Sequence, residues 1–299
     1  MSGATDPERV HADRTPLVSV IVPVLNGERH LAACIASILR QSYRNFELII
    51  ADNASSDGTA EIIQRFDDPR IRVLTRPREQ LSLHVNWSRA VREGTGEFVK
   101  IVCHDDVLFE ECLEAQVALF QRFPTAALAA CRRRIIDDED RVVIRSRGLG
   151  KLMRRGATRL IAGPTLASAC TRSGTNLLGE PASTLIRRSA LPEPLFDSRW
   201  NYALDIEFYM RCVGERFAAL DRRTLCAFRV GPHQLSARLG SRQASEMRAF
   251  FKQMLNNFPA SVTPADVRIG TIRSQLIVQA RRTLYLGMRI RRSRSAWRH

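Results

Sequence analysis

Four carboxylates stand where a chain of this pattern would present chemistry. Asp52 follows the apolar run Phe46-Glu47-Leu48-Ile49-Ile50-Ala51, and Asp105 and Asp106 follow Phe98-Val99-Lys100-Ile101-Val102-Cys103-His104. Asp205 opens a stretch that carries Ile206, Phe208, Tyr209, Met210 and Val213 among polar residues, a helical pattern. In an open α/β sheet, ligands bind outside the carboxyl ends of the strands. An acid at one such end accepts hydrogen bonds, and an acid pair at another seats a hard divalent cation, which takes oxygen ligands and phosphate. A carboxylate at a helix start can take a proton from an attacking hydroxyl. Each acid taken singly also has a plain structural reading. Asp52 reads as a loop or capping residue, Asp106 as the cap of the next helix, and Asp205 as a first-turn acid favoured by the macrodipole. Their order and shared edge link them.

The elements that must position these acids follow from periodicity. Leu17–Val24 is a β-branched run with Pro23 near its end, a buried strand. Phe46–Ala51 is a second strand, Ile71–Leu74 a short third, and the run from Phe98 a fourth. Helical spacing marks His30–Gln41, Ala60–Phe66 with Asp57 or Thr59 as its cap, Leu81–Arg92, and Glu110–Phe123, stopped by Pro124. Strand alternating with helix predicts an open, mostly parallel sheet with helices on both faces and right-handed crossovers. Asp52 and Asp105 then project from one edge.

From about Ala127 the pattern changes. Arg132–Ile144 reads as a hairpin around Asp137-Asp138-Glu139-Asp140, and the glycine- and arginine-rich stretch Arg147–Arg155 as a mobile loop. A turn-rich segment, Gly174–Pro181, leads to a strand over Ser183–Arg187; a helix over Asp205–Val213, a strand over Phe217–Phe228 and two amphipathic helices, Ser245–Phe258 and roughly Val267–Ile290, complete the chain. The expected organisation is a polar tail (1–16), one α/β domain (17–240, with halves 17–126 and 127–240) and a basic helical extension (241–299).

The 299 residues suffice for a sizeable core, and the net charge of +15 suggests an anionic partner. The excess is uneven: no acidic residue follows Asp266, whereas nine arginines from Arg268 to Arg298 do. Aromatics are not interleaved with that basic stretch and no nucleic-acid motif is present, so no nucleic-acid partner is expected. The tail reads either as a helix lying on an anionic membrane or as one packed on the domain; on the first reading, removing everything after Asp266 leaves soluble protein with reduced membrane binding. Seven cysteines without a CxxC pair fit a reducing compartment. The polar start is no signal peptide, and no apolar run reaches about 18 residues, so a cytoplasmic protein is expected. Cys103-His104-Asp105 is not a zinc set, because neighbouring strand residues face opposite ways and no further Cys or His lies near. Gly148-x-Gly150-Lys151 lacks the spacing of a phosphate loop.

Taken in order, these motifs resemble the family 2 glycosyltransferases, which have the GT-A fold. The residues that carry the likeness are Val20-Ile21-Val22-Pro23-Val24-Leu25-Asn26, Asp52 through Thr59, Asn86 with Gly96-Glu97-Phe98-Val99, and Asp105-Asp106. A weaker likeness continues through Gly179-Glu180-Pro181, Asp205-Ile206-Glu207 and Phe228-Arg229-Val230. The resemblance implies a nucleotide-diphosphate-sugar donor, with Asp52 on base or ribose and Pro23, Val24 and Asn26 lining the nucleotide side. Asp105 looks like the second acid of the family's metal-binding acid–x–acid motif. The first acid is Cys103 here, so Mg²⁺ or Mn²⁺ would rest on Asp105, with Asp106 in reserve. Asp205 aligns with the family's base and Glu207 stands as its backup. Glu180 and Arg89 are further substrate contacts, and Arg89, Arg229 and the Arg147–Arg155 loop are cations for the leaving diphosphate. His233 lies near a family histidine at a different offset. The implied activity is inverting transfer to a glycan or lipid-linked acceptor hydroxyl, in cell-surface polysaccharide or glycolipid assembly. The rivals are a non-catalytic sugar-nucleotide-binding protein and a basic nucleic-acid-binding protein.

Overall fold

β1 (Val18–Val24) is buried along its whole length, as an apolar strand flanked on both sides must be. The computed structural model describes residues 15–153, 156–231 and 242–296. β1 pairs in parallel with β2 (Phe46–Asp52), in the register Val24↔Asp52, and with β4 (Phe98–Ile101), in the register Ile21↔Ile101. β3 (Ile71–Val73) adds a fourth parallel strand beyond β2. The crossovers are α1 (Leu31–Leu39), α2 (Thr59–Gln64) and α3 (Leu83–Glu93). Local chemistry starts two of them: Asp57 accepts the Thr59 N–H at the head of α2 (3.1 Å), and Ser82 accepts the Val85 N–H at the head of α3 (3.4 Å). The expected strand-end edge is formed: Asp52 and the acids after β4 leave the sheet on either side of β1.

Beyond β4 the sheet is mixed. The chain runs through β5 (Val107–Leu108), α4 (Cys112–Arg122), β6 (Ala126–Ile136), β7 (Val142–Arg147), β8 (Thr158–Ala162), α5 (Gly163–Ser173), β9 (Thr184–Arg187), α6 (Leu204–Val213) and β10 (Phe217–Arg229). The strand order is β3-β2-β1-β4-β9-β6-β10-β5, with β7 beside β6 and β8 beside β10. β9 is antiparallel to both β4 and β6, and β10 is parallel to β6. The hairpin expected around Asp137–Asp140 is β6–β7. Lys100 on β4 is wholly buried, and its ammonium donates to Gln116 Oε1 (2.8 Å) and to the carbonyls of Ala182 (2.7 Å) and Thr184 (3.0 Å). All three donors are used, so this cation ties β4 to the head of β9.

One reading needs correction. The stretch expected as a mobile loop folds into a short 3₁₀ turn, Gly150–Met153, because Leu149, Leu152 and Met153 are drawn into the core and the Leu149 N–H bonds the Leu177 carbonyl (2.6 Å). Arg154 and Arg155 lie outside the described residues. The start of the basic extension takes the packed form, one of its two expected readings. α7 (Arg242–Asn257) places Met247, Phe250, Phe251 and Met254 in the same apolar cluster as Trp200 and Phe208. α8 (Pro264–Ala296) begins against α5: Asp266 pairs with Arg172 (3.0 Å), and Gly270 lies so close that a Cβ there would meet the Thr171 carbonyl oxygen at 2.0 Å. Val278 and Ser274 are buried too. None of the helices among the described residues is long and apolar enough to cross a membrane.

Candidate functional site

Asp52 ends β2 with its carboxylate nearly buried. Its Oδ1 accepts the Ser55 N–H (3.1 Å) and the Ser55 hydroxyl, and its Oδ2 lies 3.3 Å from Arg76 Nε. Arg76 also reaches the Ser55 carbonyl, so one half-exposed guanidinium closes the loop over Asp52. Sequence reasoning missed Arg76, which lies in a polar stretch with no periodicity to mark it. Arg89 braces the loop from behind, donating to the Thr75 carbonyl (2.7 Å), Asn86 Oδ1 (2.9 Å) and the Asp52 carbonyl (3.4 Å). Asn26 adopts a left-handed φ of 52°, and its Oδ1 accepts the Ser56 N–H (2.9 Å), joining the turn after β1 to the loop after β2. Pro23 and Val24 are buried, and the Val24 carbonyl accepts the Asn53 N–H (2.9 Å), so their contribution is the shape of the strand end.

Across β1, a cation-sized cluster forms after β4. Cys103 Sγ and one oxygen each of Asp105 and Asp106 all lie within 4.8 Å of one another. Asp106 is fully buried; its Oδ1 accepts the Arg229 N–H (3.1 Å) and its Oδ2 has no hydrogen-bond partner. Burial, then the charge of Asp105, holds the Asp106 carboxyl well above the ordinary carboxylate range. A buried carboxylate oxygen left over beside a second acid and a sulfur is a donor set that fits a divalent cation. Burial, then Asp106 and Asp105, also pushes the Cys103 thiol up.

Arg229, expected as a cation for the leaving diphosphate, has its guanidinium turned to the protein instead. It is 1 % exposed and spends its guanidinium on the Asp105 carbonyl (3.0 Å), the Asp137 carbonyl (2.7 Å) and the Asp140 carboxylate (2.7 Å). It fastens the acid loop to the β6–β7 hairpin.

Asp205 lies in the first turn of α6 and lines a small cavity with Trp87, Pro181, Thr184, Phe208 and Tyr209. Burial, then the charge of Glu180, pushes its carboxyl up to about 7, with Arg133 opposing. Ile101, the last residue of β4, lines the same cavity, so Asp205 lies beside the end of that strand. Tyr209 follows one helical turn later on the same face, its hydroxyl buried beside Thr184. Glu180 pairs with Arg133 (Oε1 to Nη2, 3.1 Å), which is buried in a slot between Gly148 and Gly179. Gly179 has a φ of 97°, and a Cβ there would stand 2.6 Å from Arg133 Nη1, so both backbone and space require glycine.

The structure brings Cys103, Asp105, Asp106, Glu180 and Asp205 near one another, with Asp52 at the end of β2 and Asn26 in the turn after β1. It does not bring Glu207 there. Residues two apart on a helix face opposite ways, and Glu207 is buried on the far side, paired with Arg211 (2.8 Å), which holds the Leu195 carbonyl (2.9 Å). His233 lies outside the described residues.

A twisted α/β sheet with acids at its carboxyl edge and a second acid carried in from the mixed half defines a GT-A-type glycosyltransferase. Solved structures bear out the fold. The mannosyltransferase PcManGT from Pyrobaculum calidifontis, solved with GDP-Man and Mn²⁺, superposes with a TM-score of 0.61 at 19% identity, over 88% of this chain and 70% of that one. S. aureus TarS 1-349 in complex with UDP-GlcNAc gives 0.58 at 17% identity, over 82% and 73%. The sequence pattern of "Glycosyl transferase family 2" matches residues 19–192, more than half of the chain. The chain belongs to that family, whose members transfer glycosyl groups.

Among curated relatives, the uncharacterised protein MT1568 of Mycobacterium tuberculosis is 28% identical over 226 residues, 75% of this chain and 67% of its own. The Escherichia coli UDP-Glc:alpha-D-GlcNAc-diphosphoundecaprenol beta-1,3-glucosyltransferase WfgD is 34% identical over 103 residues, 34% of this chain and 40% of its own length.

Proposed function

We propose that this glycosyltransferase moves a sugar from a nucleotide-diphosphate donor to an acceptor hydroxyl with inversion, and that Asp205 is its general base. The observation that carries the reading is the buried carboxyl of Asp205, held at about 7 in a cavity lined by Ile101 at the end of β4. Near neutrality such a group is divided between its two forms, which suits it to take a proton. The acceptor oxygen loses its proton to Asp205 and attacks the anomeric carbon. The bond from that carbon to the diphosphate breaks on the opposite face, and the electron pair leaves with the nucleoside diphosphate.

Asp52, oriented by Ser55 and Arg76, takes the base or ribose, with Asn26 shaping the loop beside it. Asp105 and Asp106, with Cys103 beside them, would hold Mg²⁺ or Mn²⁺, which when bound neutralises charge on the diphosphate. Residues 17–126 then form the donor half and 127–240 the acceptor half, with Glu180 at its border. On this reading the protein is cytoplasmic and meets anionic membrane peripherally, in cell-surface polysaccharide or glycolipid assembly. Support for the membrane contact comes from α8, where Ile272 and Leu276 stand exposed one turn apart beside Arg268 and Arg273.

The test is a donor panel. UDP-glucose, UDP-GlcNAc and GDP-mannose are offered with and without Mn²⁺ or Mg²⁺, and binding is followed by calorimetry and turnover by nucleotide release. Metal-dependent binding of one donor with release is the expected result. Binding without release gives the non-catalytic reading, and binding of none of them by folded protein contradicts the donor site at Asp52.

A further inference from the structure

The segment that delivers Asp205 to the cavity is held from far along the chain. Asn201, Tyr202 and Ala203 lead into α6, and their three N–H groups converge on one atom, Oε2 of Glu246 on α7, at 2.9, 2.7 and 3.2 Å. Successive amides aimed at one carboxylate form an anion nest, and bonds of this charge-assisted kind are the strong ones. α6 has no side-chain cap of its own: its cap position is Ala203. Beside the nest, Trp200 packs edge-on against Phe250 of α7, with ring centroids 6.4 Å apart, and its carbonyl meets His84 Nε2 of α3 at 2.6 Å. The approach to Asp205 is thus clamped between α3 and α7, and its backbone amides are satisfied by a single glutamate.

We propose that Glu246 is a positioning residue for glycosyl transfer: its carboxylate fixes the entry to α6 and thereby the direction in which Asp205 points. It touches no reacting atom. The proposal rests on the reading of Asp205 as the base, and it makes α7 part of the catalytic unit. A base displaced by about 1 Å can lose about a hundredfold in rate, while the donor half, built from β1–β4, stays as it is.

The experiment uses the full chain and four proteins: wild type, E246A, E246Q and D205N. Nucleotide release is measured with UDP-glucose, UDP-GlcNAc and GDP-mannose, water serving as acceptor, and donor Kd is measured by calorimetry. E246A is expected to lower kcat at least about tenfold while donor Kd stays within about twofold. E246Q keeps an oxygen that accepts the same three N–H bonds, so it is expected to recover most of kcat. Wild-type kcat in E246A overturns the proposal. So does a loss of donor binding in parallel with kcat in both Glu246 variants, which marks general loosening. Wild-type turnover in D205N removes the base itself, a failure distinguishable from that of Glu246 because it appears in a different variant.

Discussion

The two groups of acids that meet at the site are held in opposite ways. Asp52 ends a strand of an all-parallel set, and the side chains that fix its carboxylate, namely Ser55 and Arg76, come from within 25 residues of it in sequence. Asp205 sits in the mixed half, and what fixes its helix comes from α3 and from Glu246 on α7. The strand end at Asp52 is therefore a local product of strand, turn and loop, whereas Arg229 ties the acids after β4 to the mixed half. The Asp205 side is a product of tertiary packing, and its integrity runs through the helices at the end of the chain.

The largest expected effect breaks this contrast from the far side. Removing everything after Asp266 takes Gly270, Ser274 and Val278 off α5 and the core, and is expected to cost more than about 3 kcal/mol. Thermal unfolding and yield of soluble protein check it; a well-folded truncation with an unchanged melting temperature would return the extension to the status of an appendage. A milder version is Gly270→Val, whose side chain meets the Thr171 carbonyl and should cost about 3 kcal/mol by the same measurement.

The same contrast explains what the sequence disclosed. β1, β2 and β4 are apolar runs that end in turn or acid residues, so the parallel half and the positions of Asp52 and Asp105 were readable from periodicity. β6 opens with Ala126-Ala127-Leu128-Ala129-Ala130, a run with little β-propensity that becomes a strand through backbone pairing with β9 and β10 on its two edges and burial of both its faces. α5 carried its signals, Pro164 in its first turn and Gly174 at its end with a φ of 73°, and they went unread. Glu246 had no local signal at all, since its partners lie more than 40 residues away. Glu207 was read beside Asp205 from sequence proximity, and helical geometry places it on the opposite face.

Smaller changes sharpen the contrast. Arg76→Ala loosens the loop over Asp52 and is expected to weaken donor binding about threefold, the worth of a half-exposed ion pair, while the melting temperature barely moves. Unchanged donor Kd would remove Arg76 from the donor side. The double variant Ile272→Glu, Leu276→Glu on the outer face of α8 should leave turnover intact and reduce sedimentation with vesicles of anionic phospholipid. Equal sedimentation would place any membrane contact elsewhere.

The buried carboxyl of Asp205 also ties stability to pH. Its folded value near 7 lies above its ordinary 3.8, so the folded state favours the protonated form. The stability this contributes is present at low pH and is lost as the pH rises from about 4 to about 7. Asp205→Asn, which stays neutral, should therefore raise the melting temperature at pH 8 relative to wild type and gain little at pH 4.5.

The most direct test of Asp205 as the base is nucleotide release by Asp205→Asn and wild type from pH 5 to 9, with donor Kd measured on both. Wild-type turnover is expected to fall as the pH drops below about 7, where Asp205 takes up its proton. The variant is expected to lose about 10²- to 10⁴-fold in turnover with its donor Kd intact. Full turnover in the variant, or an acid limb shared by both proteins, would contradict the assignment.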